Sequence, residues 1–144
     1  MGQHVLVPVD RSSQSERAFE YVLDELREPR ITLLHAIDPA SVFAYGDEFE
    51  FDVEGYRREE RRRREDAERM LDEFEAEASA RGFETETVIG TGRPARRILE
   101  AAEERDVDHI VMGSHGRSGV GRVLFGSVAE SVTRRSPVPV TVVR

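Results

Sequence analysis

The chain has no cysteine, no tryptophan and no lysine; all 21 of its basic residues are arginine. Without cysteine there is no disulfide, no thiolate zinc site and no thiol nucleophile. Without lysine there is no Walker-type phosphate lysine, no Schiff base and no receiver-type lysine switch. No apolar run approaches the ~18 residues of a membrane span, so no membrane partner is expected. Met1 to His4 carries no basic n-region ahead of Val5-Leu6-Val7, and no cleavage site follows. Gly2 does not open a good myristoylation motif, and the expected location is cytoplasmic. The net charge of −8 disfavours a nucleic-acid partner, because a phosphate backbone needs a basic face. An acidic, lysine-free surface suits a high-salt cytoplasm in which self-repulsion is screened; arginine bias from a GC-rich genome is the plainer alternative.

What is there alternates strand and helix over 144 residues, read as one domain spanning residues 1–144. Val5 to Val9 is a continuous apolar run, as in a strand buried on both faces. Ser13-Gln14-Ser15-Glu16 reads as a capping box, opening a helix with Ala18, Phe19, Val22, Leu23 and Leu26 inward, which Pro29 ends. Ile31 to Ile37 is the second strand, followed by a loop from Asp38 to Gly55 that alternates aromatic and acidic residues between Phe43 and Phe51. A long helix from Tyr56 to Arg81 buries Ala67, Met70, Leu71, Phe74 and Ala78, with Gly82 at its C′ position. Thr85 to Ile89 is a strand, and Pro94 starts a helix with Ala95, Ile98, Leu99 and Ala102 inward. His109 to Met112 is the fourth strand, Gly126-Ser127 opens a helix burying Val128, Ala129 and Val132, and Pro137 to Val143 is the fifth strand. Such alternation predicts an α/β fold: one doubly wound, parallel five-stranded sheet with four helices.

Ligands of such sheets bind at the carboxyl ends of the strands. Three ends carry useful residues: Asp10, His35-Ala36 and Gly113. The richest is Gly113-Ser114-His115-Gly116, running through Arg117 and Arg122 to Gly126-Ser127 at a helix start. Glycines let a backbone approach a ligand, and a helix N-terminus offers unpaired N–H groups to an anion. Phosphate can therefore be held without lysine. His115 is a phosphate neighbour or a shaper of the loop, and Arg117 could add charge. Asp10 is a ligand contact at a strand end or an Asx-turn residue. The turn from Asp10 to Gln14 has no glycine, so the dinucleotide fingerprint fails. The arginine run Arg61 to Arg64, flanked by Glu59, Glu60, Glu65 and Asp66, reads as i,i+4 pairing on a solvated face.

Gly113-x2-Gly116-x9-Gly126-Ser127 resembles the nucleotide motif of the universal stress proteins. The likeness extends to Val7-Pro8-Val9-Asp10, Leu33 to Asp38, Gly92-x-Pro94 and the closing Pro137 to Val143. It implies a Rossmann-like sheet of the adenine nucleotide alpha hydrolase type, order 3-2-1-4-5, and ATP as ligand with Mg2+ as its optional companion. It further implies that Asp10 holds the ribose, that the Ala36 backbone reads the adenine edge, and that Pro8 and Met112 line the base pocket. Gly113 would back the ribose, and Gly116, Gly126, Ser127 and the N–H of Val128 would take the phosphates. A homodimer through the edge strand Val138–Val143 is also implied, with protein partners left open. No acid–base pair or activated nucleophile stands out, so the expected role is a nucleotide-dependent stress-response or regulatory protein. A slow ATPase and a nucleotide-independent interaction module are the alternatives.

Overall fold

The computed structural model describes residues 2–40, 53–114 and 126–144. Five strands, β1 (His4–Pro8), β2 (Arg30–Ile37), β3 (Thr85–Thr91), β4 (His109–Gly113) and β5 (Val140–Val143), form one sheet of order β3-β2-β1-β4-β5. Every neighbouring pair is parallel. The described helices are α1 (Ser13–Glu25), α2 (Val53–Ala80), α3 (Pro94–Glu104) and α4 (Ser127–Arg135). Parallel neighbours need crossovers, and these helices supply them on both faces.

Strand alternation divides the core in two. Val5, Val7 and Val9 of the first strand segment, with Ile31, Leu33 and Val111, meet α1 and α2 through Phe19, Val22, Met70 and Leu71. Leu6, Leu34, Ile110 and Met112 point the other way, onto Ile98, Ala102, Ala129 and Val132 of α3 and α4. Both faces are covered, which is why β1 and β4 read as unbroken apolar runs. Phe74 is only partly buried and meets Phe19 edge to face, ring centroids 4.9 Å apart.

Several boundaries differ from the sequence expectation. The N-cap of α1 is Ser12, whose Oγ accepts from the N–H of Ser15; Ser13 is already helical. Ser15 cannot act as a Glu would in a capping box, and its hydroxyl instead accepts from the Asp10 N–H. The first helix stops at Glu25, short of Pro29, because Leu26 turns to extended backbone. The long helix starts at Val53, three residues before Tyr56. It ends in a Schellman motif: Gly82 (φ 86°) donates to Ser79, and Phe83 donates to Ala78. The last strand is Val140–Val143, shorter than Pro137–Val143. Ser136 and Val138 close a local turn, and Pro139 contributes only its carbonyl, which accepts from Ile110.

Candidate functional site

The order β3-β2-β1-β4-β5 places the topological switch between β1 and β4. There the two strands are in register only at Val5↔His109 and Leu6↔Ile110, although β1 continues to Pro8 and β4 to Gly113. Pro8 explains why. Val9 donates its N–H to Leu34 of β2, so the alternate residue, Pro8, faces β4. That position would carry the next donor toward β4, and proline has none. The ladder stops there. Pro8, expected as a pocket-lining residue, thus ends the β1–β4 ladder, which composition alone did not reveal.

The same alternation aims Ala36. Leu34 turns its carbonyl toward β1, and so does Ala36 two residues on, where β1 has already ended. The Ala36 backbone therefore faces the opening rather than a strand. Pro8, Ala36 and Met112 share the sheet face of α3 and α4, but Met112 is only 5 % exposed and largely enclosed by core. His35 lies on the opposite face. Its Nδ1–H donates to the Val9 carbonyl at 2.8 Å, fixing the chain just ahead of Asp10.

Asp10 is held in a closed ring of local bonds. Its N–H donates to Ser15 Oγ, and its Oδ1 accepts from the Ser12 N–H at 2.8 Å. The Asx-turn reading is thus realised, and it uses one carboxylate oxygen. Oδ2 has no partner among the described residues and remains available to a hydroxyl donor.

Gly113 ends β4 against α1: a Cβ there would lie 2.8 Å from the Gln14 carbonyl carbon. Its glycine is required by this approach of helix to strand, whatever else it contacts. Beyond it, Ser114 is buried, donates to Val143 and accepts from the Gly126 N–H at 2.6 Å. This bond brings the start of α4 to the end of β4. Gly126 is the N-cap of α4 in extended backbone, with no side chain capping the helix. The N–H groups of Ser127 and Val128, in the first turn, have no carbonyl within the helix to accept them. They form the positive end of its dipole, and Ser127 is exposed. His115, Gly116, Arg117 and Arg122 lie outside the described residues.

Sequence reasoning missed a second polar assembly at the opposite, amino-terminal end of the sheet. The Arg30 guanidinium donates to His4 Nδ1, so His4 Nε2 carries the proton and donates to Thr32 Oγ1 at 2.6 Å. The Thr32 hydroxyl donates to Glu86 Oε1, which also accepts from Arg105. The Thr32 hydroxyl, and after it Arg105, hold the Glu86 carboxyl below its ordinary range. No signal could have linked these residues, since His4, Arg30, Thr32 and Glu86 meet through strand register and Arg105 reaches them from the end of α3.

Residues 1–144 match the family described as the universal stress protein family. Universal stress protein MJ0577 of Methanocaldococcus jannaschii is 31% identical over 156 residues, covering 100% of this chain and 96% of that one. The solved structure of MJ0577 matches with a TM-score of 0.85, covering 99% of this chain and 96% of the other. A universal stress protein solved in complex with cAMP is 25% identical, with a TM-score of 0.67 and coverage of 99% and 97%. An Arabidopsis thaliana member solved with AMP bound, 20% identical with a TM-score of 0.70 and coverage of 98% and 90%, shares the fold. Among the described residues no helix is long and apolar enough to cross a membrane.

Proposed function

Because the chain belongs to the universal stress protein family, we propose that it binds an adenine nucleotide, ATP in the first instance, in the crevice between β1 and β4. The observation that carries this reading is the end of the β1–β4 ladder after Leu6 and Ile110, with the Ala36 backbone directed toward that end. Around it the parts fit the pieces of a nucleotide. The Ala36 N–H and C=O offer a donor and an acceptor to a purine edge. Oδ2 of Asp10 accepts a ribose hydroxyl, and the Gly113 backbone backs the ribose. The uncapped start of α4, Gly126 to Val128, accepts phosphate charge without lysine. Gly116, His115 and Arg117 complete the phosphate end in this reading, and a Mg2+ ion there would offset phosphate charge.

The role is regulatory: occupancy of the cleft changes assembly or partner choice in a stress response. A homodimer through β5 belongs to the same reading. All four of its residues remain partly exposed at the sheet edge, a strand with an unpaired side. Light scattering on the eluted protein tests it, and a mass of 16.3 kDa at micromolar concentration rejects it.

Denaturing the purified protein and identifying released nucleotide by mass spectrometry tests the ligand. Asp10→Ala then weakens ATP binding, and Gly126→Val abolishes it, with far-UV circular dichroism unchanged. Retained affinity in both variants rejects the site. Following added ATP over hours separates a held ligand from one slowly hydrolysed to ADP.

A further inference from the structure

The exposed face of α2 has a charge order that its own helix does not explain. Residues 57, 61, 64, 68, 72 and 75 follow i,i+3 and i,i+4 spacing and form one stripe. They read Arg57, Arg61, Arg64, then Glu68, Asp72, Glu75. The first five are exposed and Glu75 is half-buried, while Ala67, Met70, Leu71 and Ala78 on another side of the helix enter the core. Among the described residues none of the six side chains has an ion pair or hydrogen bond, although the neighbouring arginines do. Arg62 and Arg63 pair with Glu59, and Arg69 pairs with Asp66. The expectation of i,i+4 pairing along the arginine run is thus met at Arg63, while Arg62 reaches the same glutamate at i,i+3 and Arg61 and Arg64 have no pair among the described residues.

Within one helix this order is unfavourable. Arg57 with Arg61, Arg61 with Arg64, Glu68 with Asp72, and Asp72 with Glu75 are like charges on adjacent turns. The one opposite pair at the junction, Arg64 and Glu68, stands in the less favourable order and forms no ion pair. Three cations followed by three anions are, however, self-complementary. A second α2 laid antiparallel, with the two-fold between Arg64 and Glu68, sets Arg57 opposite Glu75, Arg61 opposite Asp72 and Arg64 opposite Glu68. Symmetry repeats each pairing, as in any isologous contact. The stripe is about 27 Å long at 1.5 Å per residue.

We propose that α2 is a docking surface for a second copy of this chain, joined by this antiparallel charge stripe. An anionic polymer would engage only the arginine half, and would meet three carboxylates next to it and a net charge of −8 overall. A second copy satisfies both halves. The contact is independent of the nucleotide cleft and of β5, because α2 packs over β2 and β3 at the far side of the sheet. Exposed ion pairs are individually weak and screened, so the association is salt-sensitive.

Two charge variants test it by sedimentation velocity at low ionic strength. One carries Arg57→Glu, Arg61→Glu and Arg64→Glu; the other carries Glu68→Arg, Asp72→Arg and Glu75→Arg. Each alone should lose one step of assembly relative to the wild type, and an equimolar mixture of the two should regain it. Equal masses for the wild type and both variants, or a mixture that behaves as its separate components, overturns the proposal. A second measurement does not depend on charge reversal. The chain is cysteine-free, so Arg61→Cys with Asp72→Cys introduces the only thiols. Their Cα atoms lie about 16 Å apart along one helix, too far to bridge within a chain. Mild oxidation should give a disulfide-linked dimer in which the two introduced cysteines are joined, whereas Arg57→Cys with Arg61→Cys should stay largely monomeric. Equal cross-linking of both pairs overturns the antiparallel register.

Discussion

Gly113 lies against Gln14 so closely that a side chain at position 113 would meet the Gln14 carbonyl oxygen at 2.9 Å and its carbonyl carbon at 2.8 Å. The contact joins the end of β4 to the first turn of α1, which the Asp10–Ser12–Ser15 bonds have already fixed. One glycine therefore sets how far the helix after β1 can settle over the strand that borders the crevice. Gly113→Ala should destabilise the fold by about 1–3 kcal/mol, as overpacking of a tight contact does. Urea unfolding measures it, with the midpoint falling at unchanged m-value. A midpoint equal to the wild type would mean that α1 yields freely, and that Gly113 is not what positions it.

Pro8 gives a prediction of the opposite kind. Pro8→Val restores an N–H directed at β4 and can extend the β1–β4 ladder by one bond. Amide exchange should show a protected proton at position 8, and stability should hold or rise. Nucleotide affinity should fall by on the order of tenfold, equivalent to ~1.4 kcal/mol, as the crevice narrows. Unchanged affinity with a protected amide would place the base elsewhere.

The architecture was legible because its signals are local. β1 and β4 are apolar runs, α1 and α3 show stripes at helical spacing, Gly82 stands at a helix end, and Pro94 at a helix start. The alternation of strand and helix then leaves few topologies. Boundaries were less legible. Ser12 and Ser13 are equally good caps by type, and only the Asp10 carboxylate bonding to the Ser12 N–H decides between them. Pro137 and Pro139 did not reveal that β5 begins at Val140, because an edge strand tolerates proline. Asp10, Ala36 and Gly113 could be named from the chain, but not the early end of the β1–β4 ladder, which depends on which side each residue of a strand directs its N–H.

Thr32 tests the buried assembly at the other end of the sheet. It is fully buried and both accepts from His4 and donates to Glu86. Thr32→Val keeps the shape and removes both bonds, leaving the His4 Nε2–H without its acceptor. A loss of about 1–3 kcal/mol is expected at neutral pH. The pH dependence is the more specific readout. A carboxyl depressed in the folded state contributes stability above its unfolded pKa and loses it as pH falls through the folded value. Removing the Thr32 hydroxyl takes away the main cause of that depression at Glu86, so the acid limb of the stability profile should flatten. A uniform offset at every pH would assign the loss to His4 alone.

Glu77 on α2 is perturbed in the other direction. Its carboxyl is pushed up first by a hydrogen bond with Glu20 of α1, then by burial and by the charge on Glu20, with Arg81 opposing. A carboxyl raised in the folded state contributes its stability at acid pH, below the unfolded value, and loses it as pH rises through the folded value. At neutral pH the two carboxylates across the α1–α2 contact therefore repel. Glu77→Gln retains a donor for Glu20 and removes one charge. The variant should be more stable than the wild type at pH 7, by less than about 1 kcal/mol because the pair is near the surface. The gain should shrink as pH is lowered, since the wild-type pair then shares its own proton. Added salt should shrink it too, by screening the repulsion that the substitution removes. Thermal unfolding of both proteins across pH and salt measures the difference, and a gain that grows toward acid pH would reverse the assigned sign.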